Sequence, residues 1–128
     1  MVQKVLRSLL ALGFVLAGLN HFRVPGFYLA MMPPALPRHV LLVQLSGVCE
    51  IVGGLFVLWP RTRVLAGWGL IALLVAVSPA NIYSAVDQAA IPMLQGVPPL
   101  LLWVRLPVQA VFIAWVYFAT IRTTTTAT

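Results

Sequence analysis

The chain has 128 residues, of which 62% are hydrophobic and only 8% are charged. An ordinary soluble domain carries about 25% charged residues, and a domain of this length has too little interior to hide so much apolar surface. In lipid, about 20 apolar residues make one spanning helix, so composition predicts an integral membrane protein. The net charge of +6 does not indicate a nucleic-acid partner, because the basic residues are not clustered and stand at the ends of apolar runs.

Four apolar runs separated by proline-rich segments predict an all-α, polytopic four-helix bundle that forms a single domain over residues 1–128. The predicted spans are residues 5–22, 40–59, 64–86 and 100–121. Pro79 and Pro107 fall inside spans three and four, where neighbouring helices or water can satisfy the freed carbonyls, so we read them as kinks. The low-complexity tail at residues 123–128 is expected to be disordered.

Basic residues predict the orientation of the bundle. One side carries Lys4, Arg7, Arg61, Arg63 and Arg122, whereas the other carries Arg23 and Arg38, offset by Asp87. Lys and Arg are enriched in cytoplasmic loops, so we expect both termini in the cytoplasm of a multi-pass protein of the bacterial cytoplasmic membrane. An alternative reading of the N-terminal run is a signal peptide cleaved near Ala17.

The stretch "SGVCEIVGG" places Glu50, one of only two acidic residues, inside the second span. Helical spacing puts small and polar residues on one face of that span, namely Ser46, Gly47, Glu50, Gly53 and Gly54. Small residues allow another helix to approach closely, so this face is expected to point into the bundle. The other spans offer similar stripes: Gly13, Ala17, Asn20 and His21; Ser78, Asn81 and Ala85; and Arg105 with Gln109.

An isolated charge in the bilayer centre costs about 2.5–3.5 kcal/mol on insertion scales and is usually paired or hydrated. We therefore predict that Glu50 and Arg105 form a buried pair, flanked by His21, Asn81 and Gln109, in a cavity in the outer half of the bundle. These five residues are the candidates for a ligand-binding or proton-linked site. The secondary candidates are Asn20, Ser46 and Ser78.

Several other interpretations stay open at this stage. The Glu50–Arg105 pair can instead be structural, with the amides as interhelical hydrogen bonds, or Arg105 can extend to the interface. A haem held by His21 and His39 is conceivable, although no other feature indicates a haem pocket. No metal site is predicted, and the single Cys49 is most simply a small apolar filler.

Four blocks of sequence together resemble the DoxX family of small four-helix membrane proteins, over about residues 7–121. They read "AGLNHFRVPGFYLAMMPPALP", "LSGVCEIVGGLFVLWPRTRVLAGWGL", "AVSPANIY" and "LWVRLPVQ". The family's signature positions fall here on His21, Phe22, Ser46, Gly47, Glu50, Pro79, Ala80, Asn81, Arg105, Leu106, Pro107 and Gln109. The resemblance implies a four-helix membrane fold.

Some relatives in that family are named as membrane subunits of thiosulfate:quinone oxidoreductases, and fold alone does not transfer such chemistry. Two hypotheses follow. In the first, the protein is an accessory membrane subunit that binds a quinone or another small redox-related ligand, takes its electrons from a partner protein and passes protons through Glu50. In the second, it is a non-enzymatic carrier of a small solute or a scaffold for a partner. A homo-oligomer is compatible with both.

Overall fold

The computed structural model describes residues 2–122, apart from the side chain of Met93, and that part of the chain is helical with no strand. The predicted disordered tail at 123–128 lies outside the described residues. The helices are α1 (Val2–Arg23), α2 (Pro25–Ala30), α3 (His39–Phe56), α4 (Arg63–Ala76), α5 (Ser78–Val86) and α6 (Pro99–Val116). A π-helical segment, Tyr117–Arg122, continues α6, and two 3-10 turns, Gln88–Ala90 and Pro92–Leu94, connect α5 to α6.

Four helical segments are long and apolar enough to cross a membrane: Val2–Arg23, His39–Phe56, Arg63–Val86 and Pro99–Arg122. Only 11–22% of the residues in the apolar window of each segment are buried within the chain. Their outward surfaces therefore remain apolar and exposed, as a lipid environment requires. These segments confirm the four predicted helical spans.

The second span ends earlier than predicted, at Phe56 rather than at residue 59. The last carbonyls of a helix have no intrahelical partner, and here side chains of the following turn supply one. Thr62 Oγ1 donates to the Phe56 carbonyl at 2.7 Å, and Arg63 Nε donates to the Val57 carbonyl at 2.9 Å. The sequence "WPRTR" thus both ends α3 and begins α4.

The third span is broken rather than smoothly kinked. α4 ends at Ala76 and α5 begins at Ser78, one residue before Pro79. Proline has no N–H to continue the helical ladder, so the interruption lies where the sequence predicts a kink. Pro107, by contrast, is accommodated inside α6.

Glycines allow α1 and α3 to pack closely. A Cβ atom on Gly18 would lie 2.6 Å from the Gly47 carbonyl oxygen, and one on Gly54 would lie 3.0 Å from the Phe14 Cβ. Gly53 faces Leu70 of α4 instead. The predicted small-residue face of α3 is therefore confirmed. The predicted face of α1 is wrong at Gly13, which has nothing within 4 Å of its Cβ position, because Gly18 makes the close approach.

Two apolar clusters hold the bundle at its two ends. Leu10, Phe14, Val57, Leu70, Val116 and Ala119 form the first, at the end where the described chain begins and ends. Met31, Ala85, Ile91, Leu94 and Leu102 form the second, which we call the α2 end. Arg7 Nε donates to the Ala119 carbonyl at 2.8 Å, which brings the first and last spans together. The five principal candidate residues of the spans lie between the two clusters.

Gly18→Ala should destabilise the fold, because the added methyl group overlaps the backbone of α3. Overpacking of this kind costs about 1–3 kcal/mol. The measurement is the thermal unfolding midpoint of the purified protein in detergent.

The matched control is Gly13→Ala on the same helix, where the new methyl group meets open space and alanine favours the helix. Its midpoint should equal or exceed that of the wild type. Equal losses in both variants would contradict the described packing of α1 on α3.

Candidate functional site

A cavity of about 390 Å³ lies between the two apolar clusters. α1, α3, α6, the α4–α5 junction and the segment that follows α2 all contribute to its wall. Its polar lining comprises His21, Tyr28, Ser46, Glu50, Asn81, Arg105 and Gln109. Its apolar lining includes Leu74, Val77, Val108 and Phe112. The structure thus brings all five principal candidates to one cavity, together with Ser46.

On one side of the cavity, α1 and α3 hold His21 and Glu50 in contact; we call these the His–Glu pair. His21 Nε2 lies 3.2 Å from Glu50 Oε2, and the two side chains are only 9% and 13% exposed. The same oxygen is buried and has no hydrogen-bond partner of good geometry among the described residues. We therefore describe the contact as an ion-pair distance without an aligned hydrogen bond.

The partner of the second nitrogen of His21 indicates which tautomer the imidazole adopts. Nδ1 lies 3.1 Å from the Val43 carbonyl oxygen, which can only accept, so Nδ1 is the nitrogen that donates. Nε2 is then the nitrogen that faces Glu50. This arrangement holds the imidazole in one orientation at the cavity wall.

Tyr28 of α2 closes the cavity beside this pair. Its ring lies 4.0 Å from the imidazole of His21, centroid to centroid, at an interplanar angle of 38°. Its hydroxyl accepts a hydrogen bond from Asn20 Nδ2 at 2.9 Å. Asn20, a secondary candidate, therefore does not line the cavity itself but holds Tyr28 over His21.

On the opposite side, four side chains from the α4–α5 junction and α6 form a connected network, which we call the Arg–amide cluster: Ser78, Asn81, Arg105 and Gln109. Arg105 Nη2 donates to Asn81 Oδ1 at 3.0 Å. Asn81 Nδ2 donates to Gln109 Oε1, and Gln109 Nε2 donates to Ser78 Oγ at 2.6 Å. Ser78 is thus connected to the cavity through Gln109.

The direction of these hydrogen bonds follows from the arginine. A guanidinium group can only donate, so the oxygen of Asn81 must face it and the amide nitrogen must face Gln109. Because the nitrogen of Asn81 donates to Gln109, the oxygen of Gln109 must face Asn81 and its nitrogen must face Ser78. Each amide is therefore held in one orientation by the charged group at the cavity wall.

The far end of the network is the Leu74 carbonyl, which both Gln109 Nε2 and Ser78 Oγ contact. Leu74 lies in the last turn of α4, where carbonyls lack intrahelical partners. The break before Pro79 thus leaves the Leu74 carbonyl available as an acceptor, and Gln109 of α6 donates a hydrogen bond to it. This hydrogen bond ties α6 to the junction and positions Arg105 one helical turn away.

The predicted Glu50–Arg105 pair is not formed in the described part of the chain. Glu50 contacts His21, whereas Arg105 bonds to Asn81 and directs Nη1 to Met31 Sδ at 3.3 Å. The prediction was wrong because two acceptors near the α2 end, an amide oxygen and a thioether, hold the guanidinium on its own side of the cavity. Arg105 is half-buried in this network.

The two histidines do not share a site. His21 lines the central cavity, whereas His39 lines a separate shallow groove at the start of α3 and places Nε2 3.1 Å from the Pro33 carbonyl oxygen. A haem held by both is therefore not supported by their placement. Cys49, predicted to be a small apolar filler, is free and exposed on α3.

Among the cavity-wall residues that sequence reasoning missed, Tyr28 and Met31 are the two that contact the side chains of His21 and Arg105. Both belong to the proline-rich segment after the first span, which the sequence marks only as a break between helices. The available signal was Pro25 at the start of a short apolar stretch, since proline favours the first turn of a helix. The buried Met31 then anchors α2 against α5 and α6.

One comparison with known proteins identifies a family. Residues 10–120 match the family model described as "Domain of unknown function (DUF8561)". No curated protein and no solved structure matches the chain. Because the match covers most of the sequence, the chain belongs to the DUF8561 family.

Proposed function

We propose that this member of the DUF8561 family is an accessory membrane subunit that binds a quinone head group, or another small redox-related molecule, in the central cavity. The supporting observation is the arrangement of two separate polar groups around one apolar chamber. The His–Glu pair lies on one wall and the Arg–amide cluster on another.

The cavity suits the chemistry of a quinone head group. Such a ring is flat and apolar and carries two carbonyl oxygens that accept hydrogen bonds. Arg105 can donate on one side, and His21 or Glu50 can donate on the other when it carries a proton. Leu74, Val77 and Phe112 offer apolar contact. Ligand pockets commonly have volumes of about 300–1,000 Å³, and a cavity of about 390 Å³ accommodates a single small ring system.

Proton handling would be the contribution of the His–Glu pair. Converting a quinone to a quinol takes two electrons and two protons. A proton held by His21 or Glu50 at the cavity wall would supply one of the two protons, water would supply the other, and the electrons would come from a redox partner protein. The resemblance to the DoxX family is consistent with such an accessory role and is part of the proposal.

A second candidate function is a scaffold or small-solute carrier in which the polar side chains are purely structural. The observation that favours it is the Arg–amide cluster, whose hydrogen bonds join α6 to the α4–α5 junction. A Cβ atom added at Gly13 or Gly69 would have no atom of the described residues beyond its own helix within 4 Å. Both glycines are therefore available for contact with another copy of the chain in either case.

The first test is binding of a short-chain quinone, such as a ubiquinone analogue with a decyl tail, to the full chain in lipid nanodiscs. We expect saturable binding, measured by equilibrium dialysis against protein-free nanodiscs. Glu50→Gln and Arg105→Met should each weaken it by about tenfold or more, since a hydrogen bond to a charged group contributes about 1.5–3 kcal/mol.

Asp87→Asn is the matched control, because Asp87 is exposed outside the cavity, and it should bind as the wild type does. If the wild type shows no saturable binding and the cavity variants lose only folded yield, the structural role is favoured and the ligand-binding function is rejected.

We also propose that both termini face the cytoplasm and that the protein resides in the bacterial cytoplasmic membrane. The support is the larger number of basic residues at the terminal end of the bundle, including Arg61. In a Cys49→Ala background, a membrane-impermeant maleimide should label Asp87→Cys in intact cells, and Arg61→Cys only after lysis. The reverse pattern would contradict this orientation.

A further inference from the structure

We infer that the ligand of the central cavity is an anion, namely a small apolar molecule that presents a negatively charged oxygen to Arg105. The inference rests on the proposed function, since it concerns the same cavity, and it adds the charge of the ligand. It follows from the contacts that the charged side chains of the cavity make.

Arg105 has no carboxylate partner within the chain's described residues. The whole sequence contains only two acidic side chains, Glu50 and Asp87. Glu50 is in contact with His21, and Asp87 is exposed beyond the end of α5. Neither forms an ion pair with Arg105 among residues 2–122.

The hydrogen bonds that Arg105 makes do not neutralise its positive charge. Its guanidinium group carries five N–H donors and is always protonated. Asn81 Oδ1 and Met31 Sδ accept from it, but both are neutral acceptors. A charge inside a membrane span is costly, and such charges usually pair with an opposite charge or face an aqueous cavity.

The acidic side chain of the cavity wall is not the partner of Arg105. Glu50 contacts His21 on the opposite wall, so among the described residues the guanidinium group has no opposite charge in contact with it. A neutral ligand would leave Arg105 without such a partner, whereas an anionic oxygen would provide one.

The lining also limits the kind of anion. Leu74, Val77, Val108 and Phe112 surround the polar groups, so the body of the ligand must be apolar enough to contact them. The shared chemistry is one anionic oxygen on a small apolar body. Two sources fit this description: the ionised hydroxyl group of a hydroxyquinone, and the carboxylate of an apolar acid.

The experiment compares matched probes that differ in charge. 1,4-Naphthoquinone is neutral, and 2-hydroxy-1,4-naphthoquinone has the same rings and is ionised at neutral pH; octanol and octanoate form the second pair. Binding to the full chain is measured in phosphatidylcholine nanodiscs, with protein-free nanodiscs subtracted. In the wild type the hydroxyquinone should bind about tenfold or more tightly than its neutral analogue, as expected for a charge-assisted hydrogen bond.

Variants of two arginines separate charge from structure. Arg105→Gln should abolish the preference for the anion, and Arg105→Lys should keep much of it because the positive charge is retained. Arg23→Gln, which removes an exposed cation at the α2 end, should change nothing. A preference that persists in folded Arg105→Gln would overturn the inference.

The outcomes distinguish this inference from the proposed function. Equal binding of both naphthoquinones would refute the anionic ligand while leaving quinone binding supported. Binding of octanoate alone, dependent on Arg105, would support an anionic ligand and reject the quinone. If no probe binds to the wild type, both the inference and the proposed function are contradicted.

Discussion

The contact between His21 and Glu50 governs the electrostatics of the whole cavity. Val43 holds Nδ1 of the imidazole, and Nε2 faces Glu50. Glu50, the acidic residue within the spans, is therefore engaged on the wall opposite Arg105, and Arg105 bonds to neutral acceptors instead. Because Glu50 contacts His21 and not Arg105, the two polar groups remain on separate walls of one cavity.

The packing around the cavity explains why those two walls stay apart. Glycines draw α1 tightly against α3, which places His21 and Glu50 on one wall. The break between α4 and α5 leaves the Leu74 carbonyl for Gln109, which ties α6 to the junction and holds Arg105 on the other wall. Apolar clusters close both ends. The cavity is thus a consequence of how the four spans pack.

Much of this arrangement could be predicted from the sequence. The rest depends on the tertiary geometry of the helices, which the spacing of residues along the chain does not determine. Apolar runs predict the four spans, and helical periodicity places Glu50, Asn81, Arg105 and Gln109 on inward faces. The partner of Glu50 could not be predicted in this way, because both His21 and Arg105 are chemically suitable. The partner depends on the position of α2 and the residue after it, which place Tyr28 against His21 and Met31 against Arg105. The close approach at Gly18 rather than Gly13 likewise depends on the rotation of α1 about its axis.

The most direct test of this account is a pair of double-mutant cycles on the free energy of unfolding in mixed micelles. One cycle combines Glu50→Gln with His21→Phe, and the other combines Glu50→Gln with Arg105→Met. We expect a coupling energy of about 0.5–3 kcal/mol between Glu50 and His21, the range for residues in contact. Between Glu50 and Arg105 we expect the two effects to add to within about 0.5 kcal/mol. Strong coupling of Glu50 to Arg105 with none to His21 would show that the buried charge is paired across the cavity and would contradict the account.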